Sequence, residues 1–458
     1  MSLKSLELDP TMENLMETLK DDLLDRNIDV WRFARLCNSI EGKCSIALDA
    51  KWGQGKTFFV RHVQLLIESF NEFFTTVTEE EKNTIHSIFS QYRGSGENAA
   101  VFDAQVCVYY DAWANDNDCD PILSLVYAIV KSVAQNYKFS KGIDGIQAAV
   151  AIADFFTGKN ISDILELKHK ADPLAELKSQ KDIFPLVNEL VDNLLNEQGN
   201  RLIIFIDELD RCKPDYAVQL LERIKHYFTN ERITFVFSVN TDELQHTIKC
   251  HYGEGFDACR YLDRFFDYRI SLPPANMKNY YSKIGLYKSE VFEKVCKAII
   301  REYGLGIRET EKFYRMAKIA AYKPTHGTQR GFDDENGRLF ARCFIVPILI
   351  GLKMVDMKAY NEFIEGNDPQ PMIRILTKGD FSRSISAFLK NEPIKMVDNS
   401  ITVESTEGLL KKAYYAIFGD NDEKSWEEKE IGNCSFDAAT KDDVLKVASM
   451  LSNVASYD

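Results

Sequence analysis

Apolar positions along the chain recur with two periods, and their alternation lays out the elements. Residues 11–41 carry two helical stripes, Leu15, Leu19 and Leu23 in one and Val30, Phe33, Leu36 and Ile40 in the other, with Asp29 placed to cap the second. Residues 44–48 are a short continuous apolar run that reads as a buried strand and empties into a glycine-containing turn. A helix follows from near Lys56, with Phe58, Phe59, Val60, Val63, Leu66 and Ile67 on its apolar face. Residues 73–98 are polar and read as an inserted helix or two and a surface loop, whereas 103–113 are β-rich and predict a second strand. Asp120-Pro121 opens a helix bearing Ile122, Leu125, Val126, Ile129 and Val133. A less regular helical stretch covers 140–180, and an amphipathic helix at 183–198 closes on Gly199-Asn200.

Residues 201–206 are the next strand, with five consecutive apolar residues, the pattern of a parallel strand covered on both faces. A helix bearing Val218, Leu221, Ile224, Tyr227 and Phe228 leads to a similar strand at 233–240. A helix near 242–250 precedes a short strand at 268–272, stopped by Pro273-Pro274. Strands alternating with helices predict a doubly wound α/β fold with a parallel sheet over about 40–275. From 276 onward strand signals are weak. Helical stripes at 278–301, 307–321, 338–364, 372–390 and 406–417 predict a helical C-terminal region, with loops at 324–337 and 365–371. The expected organisation is N-terminal helices at 1–42, an α/β domain at 43–275 with helical insertions at about 70–100 and 135–198, and a helical domain at 276–458.

Composition narrows the class. A chain of 458 residues is too long for one small core at about 150 residues per domain. A hydrophobic fraction of 45% with 28% charged residues is that of an ordinary globular protein. The net charge of −14 gives no strong nucleic-acid signal and does not favour an anionic membrane. Ten scattered cysteines with no C-x-x-C pair point to reduced thiols rather than a zinc site or a disulfide framework. Acidic residues within 1–26 argue against a signal peptide. The apolar stretches at 143–156 and 344–352 fall short of the ~20 residues a membrane span requires. The expected location is cytoplasmic, with no membrane span.

Candidate chemistry lies at the turn of 50–57. Strand, short loop and helix N-terminus hold a polyphosphate, because backbone N–H groups line the loop and the helix dipole favours negative charge. In the pattern G-x-x-x-x-G-K-[ST], Ala50 stands where the first Gly would be, Lys51, Trp52, Gly53 and Gln54 fill the middle, and Gly55, Lys56 and Thr57 complete it, with Phe58 next on the helix. The bland alternative is a plain turn between strand and helix. Asp207 and Glu208 end the strand at 201–206, where a parallel sheet presents ligands. There Asp207 is placed to hold Mg²⁺ opposite Thr57, and Glu208 to orient and polarise a water; a solvated acidic turn is the alternative. Asn240 ends the next strand as a candidate γ-phosphate sensor or a simple turn former. Arg260, Arg264 and Arg269 suit transition-state charge, but surface ion pairing is the plainer role for each. Arg308 is placed to report nucleotide state or to pair with Glu311 on its own helix. Trp52 and Trp113 lie near the motifs and are placed to flank the nucleotide, with core packing the plainer and expected role.

With these residues assembled, the chain resembles the KAP family of P-loop NTPases. The matching pieces are IALDAKWGQGKT at 46–57, VYYDAW at 108–113, DPILSL at 120–125 and IIFIDELDRCKP at 203–214, followed by LLERIK. FVFSVN at 235–240 and RYLDRFF at 260–266 before LPP complete the set, which covers roughly 30–275, with a looser match at 306–309. Ala50 and Glu208 are mild departures from the commoner Gly and Asp. The resemblance implies a three-layer αβα core of the additional-strand, catalytic-Glu type, Mg²⁺-dependent ATP hydrolysis, and a helical region coupling nucleotide state to a partner. Several members look membrane-associated through spans inserted between the phosphate loop and the acidic strand. The corresponding stretch here, near 140–160, is too short and polar. Some relatives take part in phage exclusion, so anti-phage defence is the biological expectation.

The leading expectation is an Mg²⁺-ATPase acting as a switch on a protein partner encoded nearby, with Arg264 or Arg308 stabilising charge and Arg264 acting across a subunit interface if the chain is a homo-oligomer. A second is a nucleotide-gated scaffold that binds ATP, hydrolyses it negligibly and recruits an effector through 276–458. A phosphotransferase ranks below both, because the Asp-Glu pair suits water activation and no second substrate pocket is legible.

Overall fold

The computed structural model describes residues 9–93, 102–138, 191–192, 194–196, 198–286, 290–321, 336–378, 381–390, 405–419 and 429–449. Most of the helical insertion expected at 135–198, the apolar stretch at 143–156 and most of the loop at 324–337 lie outside these residues. The chain divides into two compact units, essentially Leu8–Asn279 and Tyr280–Asp458.

In the first unit, five strands form one parallel sheet: β1 (Cys44–Asp49), β2 (Gln105–Asp111), β3 (Arg201–Asp207), β4 (Ile233–Val239) and β5 (Tyr268–Ser271). Their order is β2-β3-β4-β1-β5. The near-continuous apolar runs of β3 and β4 are buried along almost their whole length, as a sheet covered on both faces requires. Parallel neighbours need crossovers, which helices supply. Among the described residues the helices after the strands include α3 (Lys56–Glu68), α4 (Glu79–Ser90), α5 (Pro121–Asn136) and the helices Pro214–Tyr227 and Thr241–Tyr252. β4 stands between β1 and β3, so the strand feeding the phosphate loop and the strand ending in the acidic pair are not neighbours. This is the additional-strand arrangement.

Register aligns the strand ends: Asp111 lies opposite Asp207, Asp207 opposite Ser238, and Asp49 opposite both Val239 and Ser271. One edge of the sheet therefore collects the loops that carry chemistry.

The N-terminal helices α1 (Met12–Lys20) and α2 (Asn27–Ser39) bury Leu15, Leu19, Val30 and Phe33 in the same core as the sheet. Asp29 is not the cap of α2. The helix begins two residues earlier, and the Asp22 carboxylate accepts the Arg26 and Asn27 N–H groups at 2.8 and 3.1 Å, leaving Asp29 in the first turn. Asp120 does cap α5, accepting from Ile122 and Leu123, with Pro121 in the first turn.

The second unit is mainly helical and has its own core, built around the apolar helix Val346–Val355 and the helices Val291–Tyr303, Ile307–Ala321, Gln370–Lys378 and Thr406–Phe418. Phe344 to Leu352, one of the two apolar stretches short of a span, is buried in this core. Among the described residues no helix is long and apolar enough to cross a membrane. The unit also contains an antiparallel hairpin, Lys429–Ile431 with Cys434–Phe436, in a region expected to be helical or loop. Gly432 (φ 62°) and Asn433 make its two-residue turn, a signal that the short strands on either side were too brief to announce.

One buried carboxyl lies on the underside of the phosphate-loop helix. Glu68 Oε1 accepts from Gln64 Nε2 at 3.1 Å and from the Tyr137 hydroxyl at 2.9 Å. Burial pushes its carboxyl up to about 7 from an ordinary 4.5. A raised carboxyl binds its proton more tightly in the folded chain, so its contribution is full below about 4.5 and is lost as pH rises toward 7. Glu68→Gln removes that loss, by up to about 3 kcal/mol. The thermal midpoint of the variant relative to wild type is expected to be higher at pH 8 than at pH 5, by differential scanning calorimetry.

Candidate nucleotide site

β1 delivers the chain into a turn at 50–55 whose two glycines have left-handed backbones, Gly53 at φ 76° and Gly55 at φ 80°. Gly55 is the N-cap of α3 and brings no side chain to the first-turn amides, so those donors remain available to an anion. The Lys56 ammonium is buried and donates to the Ala50 carbonyl and, at 3.4 Å, to that of Lys51. Burial lowers its proton affinity, and Asp210 and Asp207 pull it back up. From below the loop, Arg26 donates to the Gln54 carbonyl at 2.7 Å and to the Pro273 carbonyl at 2.6 Å, tying the turn to the segment that leaves β5.

Across the inserted strand, Asp207 is fully buried and all its ties converge on the site. Its Oδ2 accepts from the Thr57 hydroxyl at 2.7 Å and from the Tyr109 hydroxyl at 3.0 Å, while Oδ1 accepts from the Glu208 amide at 3.0 Å. A hydroxyl and a carboxylate oxygen this close are the hard donors that Mg²⁺ takes, and the uncapped amides beside them suit the phosphates it would bridge, so the residues fit a magnesium–nucleotide.

Glu208 has a left-handed backbone, φ 58° and ψ 27°, unusual for a residue with a Cβ. The turn it makes starts the short helix Leu209–Arg211 and leaves its carboxylate paired with the Arg211 guanidinium at 3.1 Å. Burial raises the Glu208 carboxyl, and Arg211 opposes that rise. Asn240 follows β4 and is buried; its neighbour Thr241 donates both backbone and hydroxyl to Asp49 Oδ1 at 2.8 Å, which joins the end of β1 to this position.

The geometry thus assembles Ala50 through Phe58 with Asp207 and Glu208. The arginines expected in this unit are exposed. Arg264 is at an exposed position just past the helix Ala258–Leu262, its carbonyl accepting from Lys225; Arg269 pairs with Asp263 at 2.8 Å; Arg260 is exposed. Arg308 is the second residue of Ile307–Ala321 in the other unit, where Glu311 is bound by Tyr280 and lies 3.8 Å from Arg315. The core-packing role expected for the tryptophans is overturned: Trp52 is 47% and Trp113 50% exposed. The Trp52 indole N–H donates to Asp210, and the Arg211 guanidinium lies over both rings. Being near an apolar strand end in sequence does not bury a ring when the chain has already turned outward.

Sequence reasoning passed over Arg26, Asp49, Tyr109, Asp210 and Arg211. Asp49, Tyr109 and the last two stood within recognised segments, and alternation along β2 separates Tyr109 from its buried neighbours. Arg26, a lone arginine in a polar turn, carried no local signal.

The KAP family P-loop domain matches residues 32–297. No curated protein matches the chain. Among solved structures it is similar to the ORC2 protein of Aeropyrum pernix in ADPNP–ADP complexes, with 11% identity and a TM-score of 0.29, covering 70% of this chain and 65% of that one, just under two thirds of its length. It is also similar to the ORC1 protein of the same organism in complex with DNA, with 13% identity and a TM-score of 0.30, covering 99% and 96%.

The strained backbone at Glu208 has a measurable consequence. Glu208→Asn, a residue that tolerates the left-handed region, is expected to leave the urea midpoint unchanged or higher. Glu208→Val, β-branched, should lower stability by about 1–2 kcal/mol in the same unfolding measurement.

Proposed function

The chain belongs to the KAP family of P-loop domains, and from that premise we propose that it is an Mg²⁺-dependent ATPase whose turnover switches the interaction of its helical C-terminal residues with a protein partner. The observation that carries this reading is the 2.7 Å hydrogen bond from Thr57 to Asp207, with Glu208 next in the chain. A phosphate-binding turn, a hydroxyl, a buried carboxylate and a second, less buried carboxylate are the parts that hydrolysis of a terminal phosphate needs.

In this reading the amides of residues 53–58 and the Lys56 ammonium take the charge of the triphosphate, Lys56 exchanging its carbonyl partners for phosphate oxygens. Thr57 and Asp207 would hold Mg²⁺, which would neutralise charge on the phosphate oxygens. Tyr109 and the Glu208 amide keep Asp207 turned toward Thr57. Glu208 orients a water and accepts its proton as the water oxygen attacks the terminal phosphorus; the bond to the bridging oxygen breaks and ADP leaves with its electron pair. Asn240 reads the presence of the terminal phosphate, and Arg264 or Arg308 neutralises the charge that develops. The phage-exclusion role that the resemblance implies is part of the same proposal.

The proposal is tested by phosphate release and equilibrium ATP binding on the full chain. Glu208→Gln is expected to keep ATP affinity within about threefold while turnover falls at least about 100-fold. Lys56→Ala should lose ATP binding itself. Unchanged turnover in Glu208→Gln would remove Glu208 from its role, and ATP binding without turnover in the wild type would favour the scaffold. Cells expressing wild type but not Glu208→Gln should resist phage challenge.

A further inference from the structure

Arg211 meets one neighbour in sequence and two aromatic rings from distant segments. Its guanidinium meets the Glu208 carboxylate at 3.1 Å, and its carbon lies 5.8 Å from the centre of the Trp52 ring and 5.4 Å from that of Trp113. Those rings come from two separate segments, the phosphate-binding turn and the exit of β2. Trp52 also donates to Asp210, so one indole on the phosphate loop touches two of the three residues that follow Glu208.

We propose that Arg211 is a positioning residue for Glu208, held at the right place by Trp52 and Trp113. The proposal rests on the reading of Glu208 as the group that activates water.

Three physical points support it. The pair is partly solvated, with side chains 26% and 21% exposed, so it adds little stability and its use lies in geometry. A free glutamate side chain samples several rotamers, and fixing one for proton transfer needs a partner of defined direction. A planar guanidinium over aromatic faces has that direction, whereas an ammonium does not. The arrangement also accounts for two half-exposed indoles that have no place in a core. Because Trp52 belongs to the turn that takes the phosphates, the carboxylate is aligned only when that turn has the right shape.

The test is steady-state ATP hydrolysis alongside equilibrium binding of a fluorescent ATP analogue, on the full chain, for wild type, R211A, R211K, W113A and the double variant R211A/W113A. Expected are a fall in kcat of between about 10- and 100-fold for R211A, with analogue affinity within about threefold and an unchanged thermal midpoint. R211K should recover part of the loss, since it keeps the ion pair without the flat contact. W113A should cost less than R211A, and the double variant no more than R211A alone, because both act on one carboxylate. The proposal is overturned by wild-type or faster turnover in R211A, by a loss matched in binding or in thermal midpoint, by R211K no better than R211A, or by additive losses. Absence of turnover in the wild type would instead refute the hydrolysis reading, and the positioning role with it; a wild type that turns over beside an undiminished R211A refutes the positioning role alone.

Discussion

The hydrogen bond from Thr57 to Asp207 joins two segments that the sheet itself keeps apart. β4 lies between the strands that deliver them, so the contact exists only because the turn at 50–55 leans across the end of β4 and because Asp207 ends β3 level with Ser238. Slipping one strand by a residue would turn Asp207 to the other face of the sheet, since side chains alternate. The apolar runs of β3 and β4 prevent that slip: their burial on both faces leaves the acidic residue at the strand end as the first polar side chain of β3 past the apolar run, buried but bonded to Thr57. The polar chemistry is thus held in register by apolar packing.

The same edge of the sheet concentrates charge at a cost. Asp207, Asp210 and Lys56 are all buried, and burial drives Asp210 and Lys56 toward their neutral forms. They remain tolerable because each is bonded: Asp207 to Thr57, Tyr109 and an amide, Asp210 to Trp52, Lys56 to loop carbonyls. Asp49 is likewise bound by Thr241. Carboxylates and cations are interleaved here, with Asp207, Glu208 and Asp210 beside Lys56, Arg211 and the loop-binding Arg26.

Much of this was legible along the chain because it is local. The glycine-bracketed turn announces itself, as does an apolar strand ending in Asp-Glu, and so does the helix start at Asp120-Pro121. What was not legible depends on partners distant in sequence. The amides that open α2 are bound by Asp22, whose carboxylate reaches forward across a turn, so Asp29, nearer the apolar stripe, looked the better candidate. Arg26 reaches Gln54 and Pro273, partners that no local spacing connects to it. Trp52 and Trp113 looked like core residues because large apolar rings usually are, and only the path of the chain puts them in solvent around Arg211.

Residue order by itself determined the class of fold, the position of the phosphate-binding turn and the identity of the two carboxylates, because periodicity and backbone preference act between near neighbours. The tertiary structure alone decided that Thr57 meets Asp207, that Tyr109 braces Asp207 and Arg26 the turn at 50–55, and that Trp52 and Trp113 flank Arg211. Those contacts follow from strand order and register, which sum weak preferences over hundreds of residues and leave no mark in any one stretch of sequence.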